Sequence, residues 1–411
     1  MKKNPKRYLY ALDIGSKKLA LAAGGINKDN TLSPVYIETF PSKGIFKGVV
    51  NDLAAMSDSV QQIFKKMSTR THEIAAETAL SINGNYINTR NSIAAMAVSE
   101  RGTRSITKRD MDKLNAQART LGLELDEHLL HEYPQGYSVD RHNMTLNPLG
   151  LHGRRFEMDL LLISAHAGYI ENITKAVEQA GLDVTDVVFS AVAASEGVLS
   201  EEDKDKGVVL VDIGDTLTGV LIFKDGVVRR ARVIPFGGRN ITEIISNFYK
   251  IPPDLADSMK ESSLEIEHGI SDTEEVMIKS EYEFKAVKKK ELASIVVPEI
   301  DNFIAMLKGL IFESGVPGIS GCNIVVTGGF SLLEGLLEKM EIDLGLPVKM
   351  GKPNGLPDLP ISKVPAYTGA IGLLYLQRRS RATIGANLQA QGKNKLARTL
   401  DYITTLYQDY F

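Results

Sequence analysis

The 411-residue chain has no tryptophan and a single cysteine, Cys322. One thiol excludes an intramolecular disulfide and a cysteine-rich metal site, so the chain reads as reduced and cytoplasmic. It contains no run of about 18 apolar residues, and no segment is expected to cross a membrane as a helix. The start, MKKNPKR, is basic but leads into YLYALDIG rather than into an apolar stretch with a cleavage site, so no signal peptide is expected. A basic excess is missing as well. The 48 lysines and arginines stand against 51 aspartates and glutamates, a net charge of −3 that argues against a whole-surface polyanion binder and leaves no expectation of a nucleic-acid partner. Hydrophobic residues at 43% and charged residues at 24% exclude a disordered or fibrous chain. At about 150 residues per domain, the length fits a two-lobed molecule with ample core.

What is present first is a near-repeat. Tyr8 to Leu21 read YLYALDIGSKKLAL, and Val208 to Phe223 read VVLVDIGDTLTGVLIF. Each is an apolar strand, Asp-Ile-Gly, a short polar turn and a second apolar strand, the pattern of a β-hairpin. The copies lie almost half the chain apart, which suggests duplicated lobes that face each other. Glycine lets backbone N–H groups approach and cradle a phosphate. An aspartate at the strand end, Asp13 or Asp212, can hold a hydrated Mg²⁺. One hairpin from each lobe would then clamp a nucleotide.

Further segments suit such a clamp. NIVVTGGFSLLEG places Gly328-Gly329 between a strand and a helical stretch, suited to a phosphate or adenosine contact. IPFGGRNITEII places Gly237-Gly238 at a helix start that Asn240 or Thr242 is expected to cap. Between Asn83 and Ser164 the texture changes: strand, helix KRDMDKLNAQARTLGL, strand, an NPLG turn and the strand RRFEMDLLLIS, a compact α+β insert. GYIENITKAVEQAGLDV is a helix ending at Gly181. Residues 377–395 are polar, with Arg378, Arg379, Arg381, Lys393 and Lys395 and no acid, and read as a flexible basic linker. Beyond it Leu396, Leu400, Ile403, Tyr407 and Tyr410 fall on one face of a helix that Leu406 and Phe411 widen. That pattern fits a peripheral membrane anchor; the alternative is a helix docked back onto the protein.

Together ALDIGSKK, NPLGLHGRRFEMDLLLIS, VVLVDIG, RVIPFGGRNIT, IVVTGGFSLLEGL, GLPVKMGKP and PAYTGAIGLLYL resemble the FtsA family of bacterial cell-division proteins, within the actin/sugar-kinase/chaperone ATPase superfamily, with this chain a divergent member. The resemblance implies an α/β, actin-like two-lobed fold with duplicated ribonuclease-H-like subdomains, a small α+β insert in the first lobe and a C-terminal amphipathic helix. It divides the chain into a first large lobe at 1–82 and 165–200, the insert at 83–164, a second large lobe at 201–239 and 304–376, a second small subdomain at 240–303, the linker at 377–395 and the membrane-binding helix at 396–411. It implies ATP and Mg²⁺ as ligands. Asp13, Gly15, Ser16 and Lys17 would form one phosphate loop, and Asp212, Gly214, Asp215 and Thr216 the other. Gly238 and Arg239 would lie near the ribose, Lys260 near the base, and Gly328, Gly329 and Ser331 at the adenosine end. Asp13 and Asp212 would hold the metal through water. Implied partners are the C-terminal tail of the tubulin-like FtsZ, meeting Lys279, Lys285, Lys288, Lys289 and Lys290; further copies of the chain in a filament; later division proteins; and an anionic membrane surface on the cytoplasmic side at the division site.

The second loop departs from the family pattern Asp-x-Gly-Gly-Gly-Thr-Thr-Asp. Asp215 and Thr216 replace two glycines, and Gly219 replaces the final acid. A carboxylate at Asp215 would repel a phosphate unless a cation screens it, and loss of an acid that positions water points to slow or absent turnover. Phe330 either stacks on a base or fills its space. The alternative readings are a superfamily small-molecule kinase or phosphatase, and an actin-like pilus-assembly platform.

Overall fold

The first Asp-Ile-Gly segment folds as the expected hairpin, β1 (Tyr8–Ile14) pairing antiparallel with β2 (Lys18–Ile26), and β3 (Leu32–Pro41) extends the sheet beyond β2. A corner of β4 (Ile45–Phe46) and β5 (Val49–Val50) leads to helix α1 (Leu53–Thr71), capped by the Asp52 carboxylate accepting from Ala55 N–H. Strand β6 (Glu77–Ile82) then lies parallel to β1. The chain leaves for the insert and returns through α3 (Ala167–Gln179) to β12 (Asp183–Phe189), parallel to β6. The computed structural model describes residues 8–27, 31–142, 144–266, 275–279, 284–316, 318–353 and 361–390.

Within the insert, β7 (Ile87–Ala97), β11 (Arg155–His166) and β9 (Glu127–Val139) form a three-stranded antiparallel sheet with β11 central. The short β8 (Arg104–Ser105) and β10 (His152–Gly153) pair beside it. Helix α2 (Lys108–Gly122) starts at a capping box in which Thr107 and Asp110 satisfy each other's backbone N–H. Its Leu114 and Ala118 pack with Phe156, Leu160 and Leu162 into a separate core, and Met111, expected on that face, is half-buried against it. An apolar face of this size stabilises by roughly 1.5–3 kcal/mol per fully buried large side chain.

Helices α4 (Ser190–Val198) and α5 (Glu201–Lys206) lead to the second lobe. There β13 (Val208–Ile213), β14 (Thr218–Lys224) and β15 (Val227–Ile234) repeat the meander of β1, β2 and β3. Next come α6 (Gly238–Tyr249), α7 (Pro253–Ser263), the hairpin β16 (Glu275–Lys279) and β17 (Phe284–Lys288), and α8 (Lys289–Phe312). Strand β18 (Asn323–Thr327) lies parallel to β13, and after α9 (Leu336–Leu344) β19 (Val348–Met350) lies parallel to β18. The strand orders β3-β2-β1-β6-β12 and β15-β14-β13-β18-β19 match member for member, so the lobes are topological duplicates. Helix α10 (Thr368–Ala390) then crosses back to pack on α4, β1 and β2 of the first lobe.

Three expectations need correction. Residues 377–390 continue α10 rather than forming a flexible linker: Leu, Gln, Arg and Ala are good helix formers, and a polar run without proline reads alike as tether or exposed helix. The expected membrane-binding residues Leu396, Leu400, Ile403, Leu406, Tyr407, Tyr410 and Phe411, with Lys393 and Lys395, lie outside the described residues. Two of the tether arginines are engaged by the body, Arg379 by Glu196 at 3.4 Å and Arg381 by Glu77 at 3.8 Å. Next, the division between a small and a large part of the second lobe does not fall between elements: position 239/240 lies in α6 and 303/304 in α8. The insert's far limit likewise falls within β11. Finally, Gly328-Gly329 opens a single 3₁₀ turn, Gly329–Leu332, and the α-helix starts only at Leu336.

Candidate functional site

The two Asp-Ile-Gly turns close in the same way. Gly15 N–H donates to Lys18 O at 3.2 Å, and Gly214 N–H to Leu217 O at 3.0 Å. A Cβ on Gly15 would come to 2.8 Å from Lys18 O, and one on Gly214 to 2.9 Å from Leu217 O, so both turns require glycine. The turns meet across the interlobe gap, where the Ser16 and Thr216 hydroxyls are hydrogen-bonded at 2.9 Å. Around and behind them lies a cavity of about 630 Å³.

Register carries equivalent residues to its floor. Asp13 stands beside Ser81 of β6, and Asp212 beside Thr327 of β18. Ser81 Oγ donates to Asp13 Oδ1 at 2.6 Å. Burial pushes the Asp13 carboxyl up, opposed by the Ser81 hydrogen bond and by Lys18. Burial, and then the Asp13 charge, push Asp212 up to about 7. Two half-buried acids thus share a floor, and each raises the cost of ionising the other. Lys18 lies over the Tyr367 ring, 4.6 Å from its centroid. Gly369, at the start of α10, is what leaves room for Asp13, because a Cβ there would come within 2.9 Å of that carboxyl.

Of the residues implicated by sequence, Asp13, Gly15, Ser16, Lys17, Asp212, Gly214, Asp215, Thr216, Gly238, Lys260, Gly328 and Gly329 line this one cavity. Arg239 and Ser331 are not among its lining residues. Ser331 is buried and donates to Gly328 O at 2.7 Å, bracing the 3₁₀ turn. Arg239 Nε lies 3.3 Å from Asp215 Oδ2, and its N–H donates to Asp215 O at 2.6 Å. The carboxylate expected to repel a phosphate therefore has its screening cation within the protein. The second turn also caps α6: Gly238 N–H donates to Gly214 O at 3.1 Å, and Asn240 Oδ1 accepts from Gly237 N–H as expected for a cap. Thr242 instead donates to Asp257 Oδ1 and Gly238 O.

Lys260 is buried, with Nζ donating to Gly238 O, Thr242 Oγ1 and Asp257 Oδ1 at 3.1, 2.8 and 2.6 Å. Phe330 sits in the second-lobe core, edge-on to Phe236, which stacks on Phe303, and also lines the cavity. Gly219 has no room for the missing acid, since a Cβ there would come to 2.8 Å from Ala191 Cβ. Lys289, grouped by sequence with a partner surface, is paired with Glu265 at 2.7 Å on the cavity rim. Lys288 and Lys290 are exposed beside it, while the Lys279 and Lys285 side chains lie outside what is described.

Sequence reasoning missed Asp257, Glu261, Ser81 and the Tyr367-Thr368-Gly369 segment. Asp257 and Glu261 touch Lys17, 240 and 244 residues away in sequence, a pairing no local pattern signals. An oxygen, Asn83 Oδ1, is buried in the cavity wall with no hydrogen-bond partner among the described residues. With the two carboxyls of Asp13 and Asp212, it makes this part of the cavity wall polar. No group of three or more His, Cys, Asp or Glu able to hold a metal occurs among the described residues, so a cation here would be held partly by water and ligand oxygens.

Comparison with known proteins gives the following. A family model for the cell division protein FtsA matches residues 209–372, and one for the SHS2 domain inserted in FtsA matches residues 84–164. The cell division protein FtsA of Pseudomonas aeruginosa is 29% identical over 382 residues, covering 91% of this chain and 90% of the relative. Among solved structures, the PilM-PilN type IV pilus biogenesis complex matches with TM-score 0.63 at 14% identity, over 91% of this chain and 99% of that one. MreB5 of Spiroplasma citri, bound to AMPPNP, matches with TM-score 0.51 at 14% identity, over 94% of this chain and 100% of that one. The fold is actin-like.

Proposed function

This chain belongs to the FtsA family of cell-division proteins, and from that premise we propose that it binds Mg²⁺-ATP between its lobes and works as a scaffold rather than as a fast enzyme. The observation that carries the reading is the pairing of two equivalent glycine turns over two half-buried acids in one cavity. Amides of Ser16 and Lys17 and of Asp215 and Thr216 would hold phosphates, with Gly15 and Gly214 closing the turns behind them, Asp13 and Asp212 would hold the cation through water, and Gly238, Lys260 and Gly329 would flank the nucleoside. The cation supplies the charge that lets both acids ionise. Slow or absent turnover follows from Gly219, where no carboxylate fits.

The test is a thermal-shift titration. Millimolar Mg²⁺-ATP should raise the melting temperature, since a ligand that binds only the folded state stabilises by RT ln(1 + [L]/Kd). Asp13→Ala and Asp212→Ala should remove most of the rise. A melting curve indifferent to Mg²⁺-ATP would retire the nucleotide reading.

Within the same proposal, copies of the chain polymerise as an actin-like filament on the cytoplasmic membrane at the division site, tether FtsZ by its C-terminal tail near Lys288 and Lys290, and recruit later division proteins. Among the described residues no helix is long and apolar enough to cross a membrane. Attachment would then rest on residues 396–411. Deleting them, or combining Leu400→Glu with Ile403→Glu, should release the protein from anionic liposomes in co-sedimentation while leaving its melting temperature unchanged. Retained binding by both variants would point instead to a helix that docks on the body. The match of the insert model to residues 84–164 favours this reading over a pilus platform, because the likeness to the PilM complex is one of fold.

A further inference from the structure

The turn of the first hairpin reaches the second lobe at two adjacent side chains. Ser16 meets Thr216, as described above. Lys17 Nζ lies 2.5 Å from Asp257 Oδ2 and 2.5 Å from Glu261 Oε1. The two acids are four residues apart on α7, so their carboxylates share one helix face and converge on one ammonium. Asp257 also accepts from Lys260 and Thr242, and Lys260 in turn donates to Gly238 O. A continuous polar chain therefore runs from the first-lobe turn through α7 to the start of α6, which the second turn caps.

From this geometry we propose that Asp257 and Glu261 form an interlobe clasp on Lys17, and that the anionic phosphate groups of a cavity ligand compete with these two carboxylates for that lysine. The inference rests on the nucleotide reading and adds its regulation: ligand entry and release of the clasp are linked. Two carboxylate oxygens offer an ammonium what a phosphate offers, so one lysine cannot fully serve both. The clasp is weak enough to displace. The Lys17 side chain is 39% exposed and that of Glu261 63%, which leaves the pair screened by water and salt. It is also insensitive to pH near neutrality. Burial depresses Lys17, but its hydrogen bonds to Asp257 and Glu261 outweigh that and raise it. Burial lifts Asp257, and the bonds from Lys17 and Lys260 bring it down to about 2. Ligand and salt, rather than protons, open the clasp.

A double-mutant cycle on the full chain tests this. Mg²⁺-ATP is titrated calorimetrically into the parent protein, Glu261→Ala, Lys17→Gln and the double variant. Freeing Lys17 from Glu261 should tighten binding about two- to fivefold, the size expected for an exposed ion pair. That gain should vanish in the Lys17→Gln background. Adenosine, which has no phosphate, should bind the parent and Glu261→Ala equally. A parent protein that binds Mg²⁺-ATP with no gain from Glu261→Ala, or an equal gain in both backgrounds, overturns the competition while leaving the nucleotide reading in place. No binding by any of the four proteins overturns both. Amide exchange without added nucleotide reads the clasp itself: Gly15 to Lys18 and α7 should exchange faster in Glu261→Ala and Lys17→Gln, and unchanged exchange in both overturns the clasp whatever the titration shows.

Discussion

Gly372→Ala is expected to be the most damaging single-methyl change in the described part of the chain. Helices α4 and α10 cross with Gly197 against Gly372, and a Cβ on Gly372 would come to 1.7 Å from Ala193 O and 2.9 Å from Gly197 N. These are backbone atoms of a helix whose residues are almost all buried, so no side-chain rotation relieves the overlap. The helices must separate, and overpacking of this kind costs typically about 1–3 kcal/mol and occasionally more; we expect at least about 3 kcal/mol. The separation also reaches the cavity. Thr368, in the first turn of α10, holds Thr327 at 2.9 Å, and Gly369 lies against Asp13. The melting temperature should fall, and the rise given by Mg²⁺-ATP should shrink with it. Gly309→Ala is the control. Gly309 lies inside α8 with nothing within 4 Å of the added Cβ, and alanine there should be neutral or stabilising by up to about 1 kcal/mol. Equal melting of the two variants would mean that the α4–α10 crossing is not tight.

Why the crossing escapes a sequence reading while the hairpins do not is a matter of range. β1, β2, β13 and β14 are buried on both faces, so they appear as unbroken apolar runs, and the Asp-Ile-Gly turns punctuate them. The α2 capping box and the Gly181 stop act within a few residues and are equally legible. Gly197 and Gly372, by contrast, look like weak points in helices until their mutual approach is known. Arg239 illustrates the same limit within the site. The resemblance implies a place for it near the ribose, yet its partner is Asp215 in the turn of the second hairpin, 24 residues earlier. That pairing also explains how the second turn tolerates a carboxylate where relatives in the family pattern have glycine. The polar stretch after Gln377 was misread because composition reports exposure, not conformation: Arg379 and Arg381 are exposed and helical at once.

Acidification should loosen the junction between the insert and the first lobe through His131. This ring is half-buried in β9, and its Nε2 accepts the N–H of Phe189 at 3.1 Å, just before α4. Acceptance requires that nitrogen to be unprotonated, and burial pushes the imidazole down to about 4. The sign follows from proton counting. Above the ordinary value near 6.5 both folded and unfolded chains carry a neutral ring, and the bond's stabilisation is complete. As pH falls below 6.5 the unfolded chain takes up a proton that the folded chain refuses, so stability is lost progressively down to about pH 4. At about 1.4 kcal/mol per pH unit the loss approaches 3 kcal/mol. His128, depressed by burial and partly restored by Asp186, adds in the same direction, so the contribution of His131 is read as a difference between proteins. His131→Gln keeps an acceptor and removes the titration. Urea midpoints at pH 7.5 and 5 should therefore diverge less for the variant than for the parent, by about 2 kcal/mol. Identical pH slopes would show that the ring is hydrated and its bond to Phe189 idle. A smaller slope in the variant would show that the neutral His131 ring and its bond to Phe189 tie β9 to the start of α4.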